Sequence, residues 1–322
     1  MTAYREEKTN RVDAERAFSV CRVWGQGSFM HLCFESPGCR FRKAGYCIMC
    51  DYGAGRTITR QQAEKAIDDA MQDWPVSVER ILLGSCGSIF DTTEIPVHVL
   101  DGILMKLKEY HIGNVIFESH CCTISRSILQ KIRSFIPDAK ISIEMGFESS
   151  NERVLTQYLH KYLNLQMLTE TMDIIHEYQM NVILNVLLGV PGLAREEQIK
   201  DTIHSCHWAF DHGADEIVVF PINLKPGTEL WNQYLEGRYV NPSHEMLLTV
   251  LRSLGIEKIG KVSVSWYGDR QERGQDLDII GPRAERITED KWMDFYASFM
   301  GNFDPVFRKL LIDRQYNALY GG

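Results

Sequence analysis

No apolar run in this 322-residue sequence approaches the ~20 residues needed to cross a bilayer. The polar opening Met1-Thr-Ala-Tyr-Arg-Glu-Glu-Lys8 has no signal-peptide core. Both absences point to a cytoplasmic protein with no membrane partner. A basic stripe is missing too. Lys and Arg number 35 against 43 Asp and Glu, for a net charge of −8 and a pI near 5.7. Phosphate contacts dominate nucleic-acid affinity, so this balance weighs against a nucleic-acid partner. Internal repeats and low-complexity tracts are absent. The nine cysteines fall at irregular intervals, which argues against a disulfide framework in a chain long enough to bury its own core. Cys21, Cys33 and Cys206 have no spacing for an auxiliary metal site, and no cysteine follows Cys206. The most informative absence is a fourth ligand. Cys39, Cys47 and Cys50 are grouped, and the next cysteine and histidine after them are Cys86 and His98.

Three thiolates this close can hold three corners of an iron–sulfur cube and leave one iron open. A cluster that only passes electrons usually takes four cysteines. A structural zinc site fills its tetrahedron, and an open position marks reactive metal sites. The spacing favours a reactive, incompletely ligated cluster. A zinc-binding scaffold or interaction module is the non-enzymatic alternative.

From about Phe29 to Tyr234 strand-like runs alternate with helical patterns, the signature of βαβ units and a parallel sheet. Candidate strands are 29–34, 80–84, 114–118, 140–146, 181–188 and 216–220. Candidate helices are 59–73, 96–110, 125–135, 163–178 and 196–212. Thr59 suits a helix start, and Gly113 and Gly213 suit helix ends. Six such units predict an α/β fold, a partial parallel (β/α)6 barrel with its ligand at the carboxyl ends of the strands. The expected organisation is an arm or lone helix over 1–24, the barrel over 25–240 and a small α/β extension over 241–322 capping it. In that extension Trp292, Phe295, Tyr296, Phe299, Phe303 and Phe307 recur at three- and four-residue spacing, as core positions of a packing helix do.

The run Glu35-Ser-Pro-Gly-Cys39-Arg-Phe-Arg-Lys-Ala-Gly-Tyr-Cys47-Ile-Met-Cys50 resembles the cluster loop of radical S-adenosylmethionine (SAM) enzymes. The seven residues between its first two cysteines match the long-gap branch, which includes the Elongator catalytic subunit and the archaeosine synthase radical subunit. The resemblance implies an open six-unit barrel, a 4Fe-4S cluster on Cys39, Cys47 and Cys50, and SAM chelated to the fourth iron. In that family one electron cleaves SAM to methionine and a 5′-deoxyadenosyl radical, which takes a hydrogen atom from a substrate.

The strand ends extend the resemblance. Gly84-Ser85-Cys86-Gly87-Ser88 stands where the family has a Gly-Gly-Glu segment that binds the SAM amino group. This chain departs from that pattern, so the resemblance implies contacts at Ser85 and Cys86 through the backbone. Glu118-Ser119 resembles a pair in the long-gap branch, and Cys121 and Cys122 follow it. Those two thiols read either as small buried hydrophobes or as substrate-facing groups that quench a product radical. The segment 141–149 is similar to the branch's ribose-binding segment, with Glu144 and Glu148 competing for the ribose hydroxyls and Ser149 beside them. Arg153 reads either as a partner of the SAM carboxylate or as a surface cation. Asn185, in Leu184-Asn-Val-Leu-Leu-Gly189-Val-Pro-Gly192, takes the place of a family aspartate. Met49, Phe220 and Ile222 are implied to bracket adenine, and Pro226 reads as a helix start.

These features predict a radical SAM enzyme acting on a small molecule, an amino acid or natural-product precursor. A tRNA-modifying radical SAM enzyme is the second enzymatic reading, weighed down by the acidic charge and by the lack of a visible RNA-binding domain. A flavodoxin- or ferredoxin-type electron donor is implied as a partner. Arg40, Arg42 and Lys43 read as its docking rim or as a solvated loop.

Overall fold

The computed structural model describes residues 18–24, 27–53, 55–73, 78–85, 87–265 and 280–320. In chain order the elements are β1 (Phe18–Trp24), β2 (Gly27–Phe34), α1 (Arg40–Lys43), α2 (Arg60–Asp73), β3 (Arg80–Ser85), α3 (Val97–Glu109) and β4 (Asn114–Glu118). There follow α4 (Arg126–Phe135), β5 (Lys140–Glu148), α5 (Leu165–Glu177), β6 (Asn181–Leu188), α6 (Arg195–Asp211) and β7 (Glu216–Pro221). Last come α7 (Glu229–Leu235), α8 (His244–Ser253), α9 (Ile256–Ile259), β8 (Val262–Val264), α10 (Glu289–Met300) and α11 (Pro305–Tyr320). The strands lie in one sheet in chain order, β1 to β8. β2–β7 are the six expected strands, and their alternation with helices is the α/β partial parallel barrel that the sequence predicts.

The chain divides into two compact units. One draws on the described residues of Met1–Gly45, Tyr52–Gly146 and Gln166–Ile183, the other on those of Tyr46–Asp51, Phe147–Leu165 and Leu184–Gly322. In the first, β1 runs antiparallel to β2, and β2, β3 and β4 each pair parallel with the next strand. The strand cores Ile81–Leu83 and Val115–Phe117 are buried, as continuous apolar runs in a parallel sheet must be. Thr59 and Gln62 close a reciprocal cap at the start of α2, each side chain accepting the other's backbone N–H at 3.2 and 2.8 Å.

In the second unit β7 pairs parallel with β8. Trp292, Phe295, Tyr296 and Phe299 of α10 are buried, as their spacing predicts. Arg308 of α11 is buried as well, and its guanidinium donates to the carbonyls of Ile259, Val262, Phe299 and Asn302. It thereby fastens α9, β8 and the end of α10 to α11. Burial pulls its pKa down to about 9, which leaves it cationic at neutral pH.

Four local expectations differ. Residues 18–24 form a strand rather than a helix or arm. Phe303 and Phe307 are exposed, because α10 ends at Met300 and Pro305 starts a new helix with a new phase. After α3 the left-handed residue is His111 (φ 55°), not Gly113, whereas Gly213 does adopt φ 103°. Finally, α7 starts behind Thr228, whose hydroxyl accepts from Trp231 N at 3.1 Å, so Pro226 lies outside the helix.

Candidate active site

In the first unit the site grows from the ends of β2, β3 and β4. The Cys39 amide donates to Tyr52 O at 2.7 Å, which closes the cluster loop behind it. A Cβ built on Gly87 would lie 2.8 Å from Cys39 Cβ and 2.5 Å from both carboxylate oxygens of Glu94. Only glycine fits there, and its bare Cα brings the β3 loop against the cysteine. Glu94 is 1% exposed. Its Oε2 accepts from the hydroxyls of Ser36 and Ser85 at 3.2 and 3.3 Å and from Ser88 N at 3.1 Å. Burial raises its pKa, and those hydrogen bonds oppose the shift. Ser85 is thus buried and tied to Glu94, while Cys86 lies outside the described residues.

From Ser88 a chain of hydroxyls leads to β4. Ser88 Oγ lies 2.6 Å from both Ser119 Oγ and Thr123 Oγ1, and the Thr123 hydroxyl donates to His120 O at 2.7 Å. His120 Nδ1 accepts from Cys122 N at 3.2 Å. Cys121 is buried and Cys122 half-buried. Arg40 reaches within 3.9 Å of Cys122 Sγ and pairs with buried Asp91 at 2.9 Å. Burial raises the Cys122 pKa, and the Arg40 charge opposes it. The structure brings Cys121 and Cys122 to one polar cluster beside Arg40, and it commits Arg40 to Asp91. Glu144 is buried on β5, its carbonyl accepting from Ser119 N at 2.9 Å.

In the second unit the loop segment 46–51 is pinned from several sides. Cys47 N donates to His160 O at 2.8 Å, Ile48 N to Leu159 O at 3.1 Å and Leu230 N to Ile48 O at 3.2 Å. Asp51, next to Cys50, pairs with Lys225 at 2.5 Å. Cys47 has φ 60°, a strained conformation for a non-glycine residue that surrounding contacts must hold. Met49 and Phe220 are half-buried against one apolar cluster that contains Ile222, Val154 and Leu187. The three residues implied to bracket adenine therefore converge.

Glu148 ends β5 with φ 64°, so it leaves the strand's alternation. Its buried carboxylate sits 2.9 Å from the Lys161 ammonium, as an ion pair rather than a directed hydrogen bond. Ser149 is fully buried and its hydroxyl donates to Asp201 at 2.9 Å. Burial raises the Asp201 pKa, and the Ser149 bond opposes it. Arg153 is exposed, bonded to Gln157 at 3.0 Å and set over the Tyr158 ring at 5.6 Å. Asn185 carries a buried Oδ1 with no hydrogen-bond partner among the described residues.

The donor set suits a 4Fe-4S cluster. Cys39, Cys47 and Cys50 are outside any disulfide among the described residues, each half-buried. Among the described residues no three His, Cys, Asp or Glu side chains close on a single ion. In the first unit Gly87 leaves a cradle beside Cys39 that a Cβ would fill, and in the second Asn185 carries an orphaned buried oxygen of the kind that calls for an explanation. Sequence reasoning missed Glu94, Ser36, Lys161 and the Asp51–Lys225 pair. Glu94 stands in the polar run Asp91-Thr-Thr-Glu94, which reads as an ordinary surface turn, and the other three meet their partners only through the fold.

The fold is that of the radical SAM enzymes. Methylornithine synthase matches with a TM-score of 0.54 at 15% identity, over 80% of this chain and 77% of that one. The Elp3 of Methanocaldococcus infernus matches with a TM-score of 0.52 at 13% identity, over 76% and 57%. By sequence the chain is similar to archaeosine synthase subunit beta of Methanosarcina acetivorans, 25% identical over 227 residues, 68% of this chain and 64% of that protein. It spans about two thirds of the length of the curated relatives it matches. No family model matches. These comparisons give no support for setting nucleic acid aside as a partner. Among the described residues no helix is long and apolar enough to cross a membrane.

Proposed function

We propose that this chain is a radical SAM enzyme that holds a 4Fe-4S cluster on Cys39, Cys47 and Cys50 and acts on a small organic molecule. The observation that carries this reading is the coincidence of a three-cysteine loop with the radical SAM fold. Bound there, cluster and SAM supply a 5′-deoxyadenosyl radical for hydrogen abstraction. The chain's own part is to bind and orient. Met49, Phe220 and Ile222 offer an apolar wall for adenine. Asn185 offers a dry acceptor for a ribose hydroxyl, where a hydrogen bond is strongest. Glu148, paired with Lys161, presents a second acceptor. Cys121 and Cys122 stand as candidates for quenching a product radical, and a flavodoxin- or ferredoxin-type protein as the electron donor.

A second reading, a nucleoside within tRNA as substrate, is favoured by the 25% identity to archaeosine synthase subunit beta. Anaerobic incubation with SAM, dithionite and deuterated candidates separates them. Label arriving in 5′-deoxyadenosine from a metabolite supports the first, and label arriving only from RNA supports the second. Colourless protein with one tight zinc, or SAM cleavage surviving in the Cys39→Ala, Cys47→Ala or Cys50→Ala variants, overturns both.

A further inference from the structure

The β3 loop poses a chemical problem. Residues 85–88 are Ser, Cys, Gly and Ser, none of them a carboxylate. Yet a carboxylate is there. Past Ser88 the chain turns back through Asp91, with Asp91 N on Ser88 O at 3.0 Å, Glu94 N on Asp91 O at 2.9 Å and Ile95 N on Asp91 O at 2.8 Å. The turn returns Glu94 to the loop, where both its oxygens and Cys39 Cβ border the position that a Gly87 side chain would fill.

This carboxylate is built for a ligand. Three donors, from Ser36, Ser85 and Ser88, converge on Oε2. Oε1 accepts from none of the described residues, and no Lys, Arg or His among them pairs with Glu94. Burying a carboxylate without a cation is expensive, and a ligand that brings the cation offsets that cost. The donors on Oε2 fix the group's orientation before the ligand arrives, which lowers the entropic cost of binding. Asp91, three residues away, is different: its charge is already met by Arg40.

We propose that Glu94 receives the α-ammonium group of SAM beside Cys39, supplying from a later turn the acid that the Ser85–Ser88 segment lacks. This rests on the radical SAM reading above. The test is isothermal titration of anaerobically reconstituted protein with SAM and with the SAM analogue that lacks the α-amino group. Iron is counted in parallel. The Glu94→Gln variant retains its iron and binds SAM at least about tenfold more weakly, the size of a lost charge-assisted hydrogen bond. Its affinity for the analogue is unchanged. Glu94→Asp, which keeps the charge, recovers part of the SAM affinity.

Equal weakening toward SAM and analogue makes Glu94 a scaffold and overturns the proposal, as does SAM affinity within twofold of wild type. If Glu94→Gln fails to hold iron, Glu94→Asp decides, and equal treatment of SAM and analogue relative to wild type again overturns it. Failure of wild type itself to hold iron or bind SAM sinks the parent reading, and is told apart because it needs no variant.

Discussion

Gly87→Ala is the sharpest perturbation that the site offers. The added Cβ would stand 2.5 Å from both Glu94 oxygens and 2.8 Å from Cys39 Cβ. Reaching ordinary contact near 3.4 Å requires the carboxylate to recoil by about 0.9 Å and the cysteine by about 0.6 Å. Neither is free to do so. Cys39 is held by its amide bond to Tyr52 O at 2.7 Å. The three bonds to Glu94 Oε2 already span 3.1 to 3.3 Å, so a shift of that size breaks them. Overpacking of about 1–3 kcal/mol and three lost bonds to a charged group at about 1.5–3 kcal/mol each give a loss of at least about 5 kcal/mol. Gly113→Ala is the control, since its φ is not left-handed and its Cβ meets nothing within 4 Å. That variant stays within about 1 kcal/mol of wild type. Urea unfolding of the metal-free protein gives the stability difference, and iron per chain after reconstitution gives the consequence for the cluster. A Gly87→Ala protein that unfolds with Gly113→Ala and binds full iron would refute the packing argument.

Two further outcomes follow from buried polar groups. Asn185→Leu removes an acceptor that has no partner, so stability holds or rises by up to about 1–3 kcal/mol while SAM affinity falls; a destabilised variant with normal SAM binding contradicts the role given to Asn185. His244 is buried and stacked on Trp292 at 4.5 Å, with Glu289 3.1 Å from Nε2. Burial lowers its pKa below 6.5 against the pull of Glu289. The unfolded chain therefore takes up the proton first as pH falls. The contribution of neutral His244 is present above pH 6.5 and fades below it. His244→Asn flattens the acid limb of a stability–pH curve between about pH 7 and 5, and an unchanged limb rules His244 out as its source.

Much of the fold was legible because its elements obey local rules. The runs 114–118 and 181–188 are strands over the very residues that periodicity marks, since burial on both faces leaves an uninterrupted apolar signature. Thr59, Ser125 and Ser243 cap helices with their hydroxyls. What escaped is tertiary. β1 sits in a charged context and exists by pairing with β2. Phe303 and Phe307 continue the spacing of α10 across a helix break that spacing cannot reveal. Glu148 and Lys161 meet around a π-helical turn at Val154–Tyr158, so no sequence interval announces the pair. Glu94 returns to Cys39 only because Asp91 nucleates a turn.

Four exceptions to good folding practice bear on the residues proposed for the site. Among the described residues Glu94 is a buried carboxylate without a cation, Glu148 a left-handed β-strand terminus, Asn185 an unanswered amide oxygen and Cys47 a left-handed cysteine. Each costs free energy, of order 1–3 kcal/mol for a strained backbone or an unpaired buried group. Glu148 closes β5, Cys47 lies in the three-cysteine loop and Glu94 borders Cys39, whereas Asn185 lies within β6. Arg308 shows the contrast in the same chain. It is just as buried and charged, but four backbone carbonyls and the rings of Phe299 and Phe303 at 4.1 and 4.0 Å answer it. Only its Nη2 is left without a hydrogen-bond partner among the described residues. At Glu94 and Asn185, which the proposed function places against SAM, the missing partner is best sought in that ligand, and the chemistry left open is an ammonium at Glu94 and a hydroxyl at Asn185.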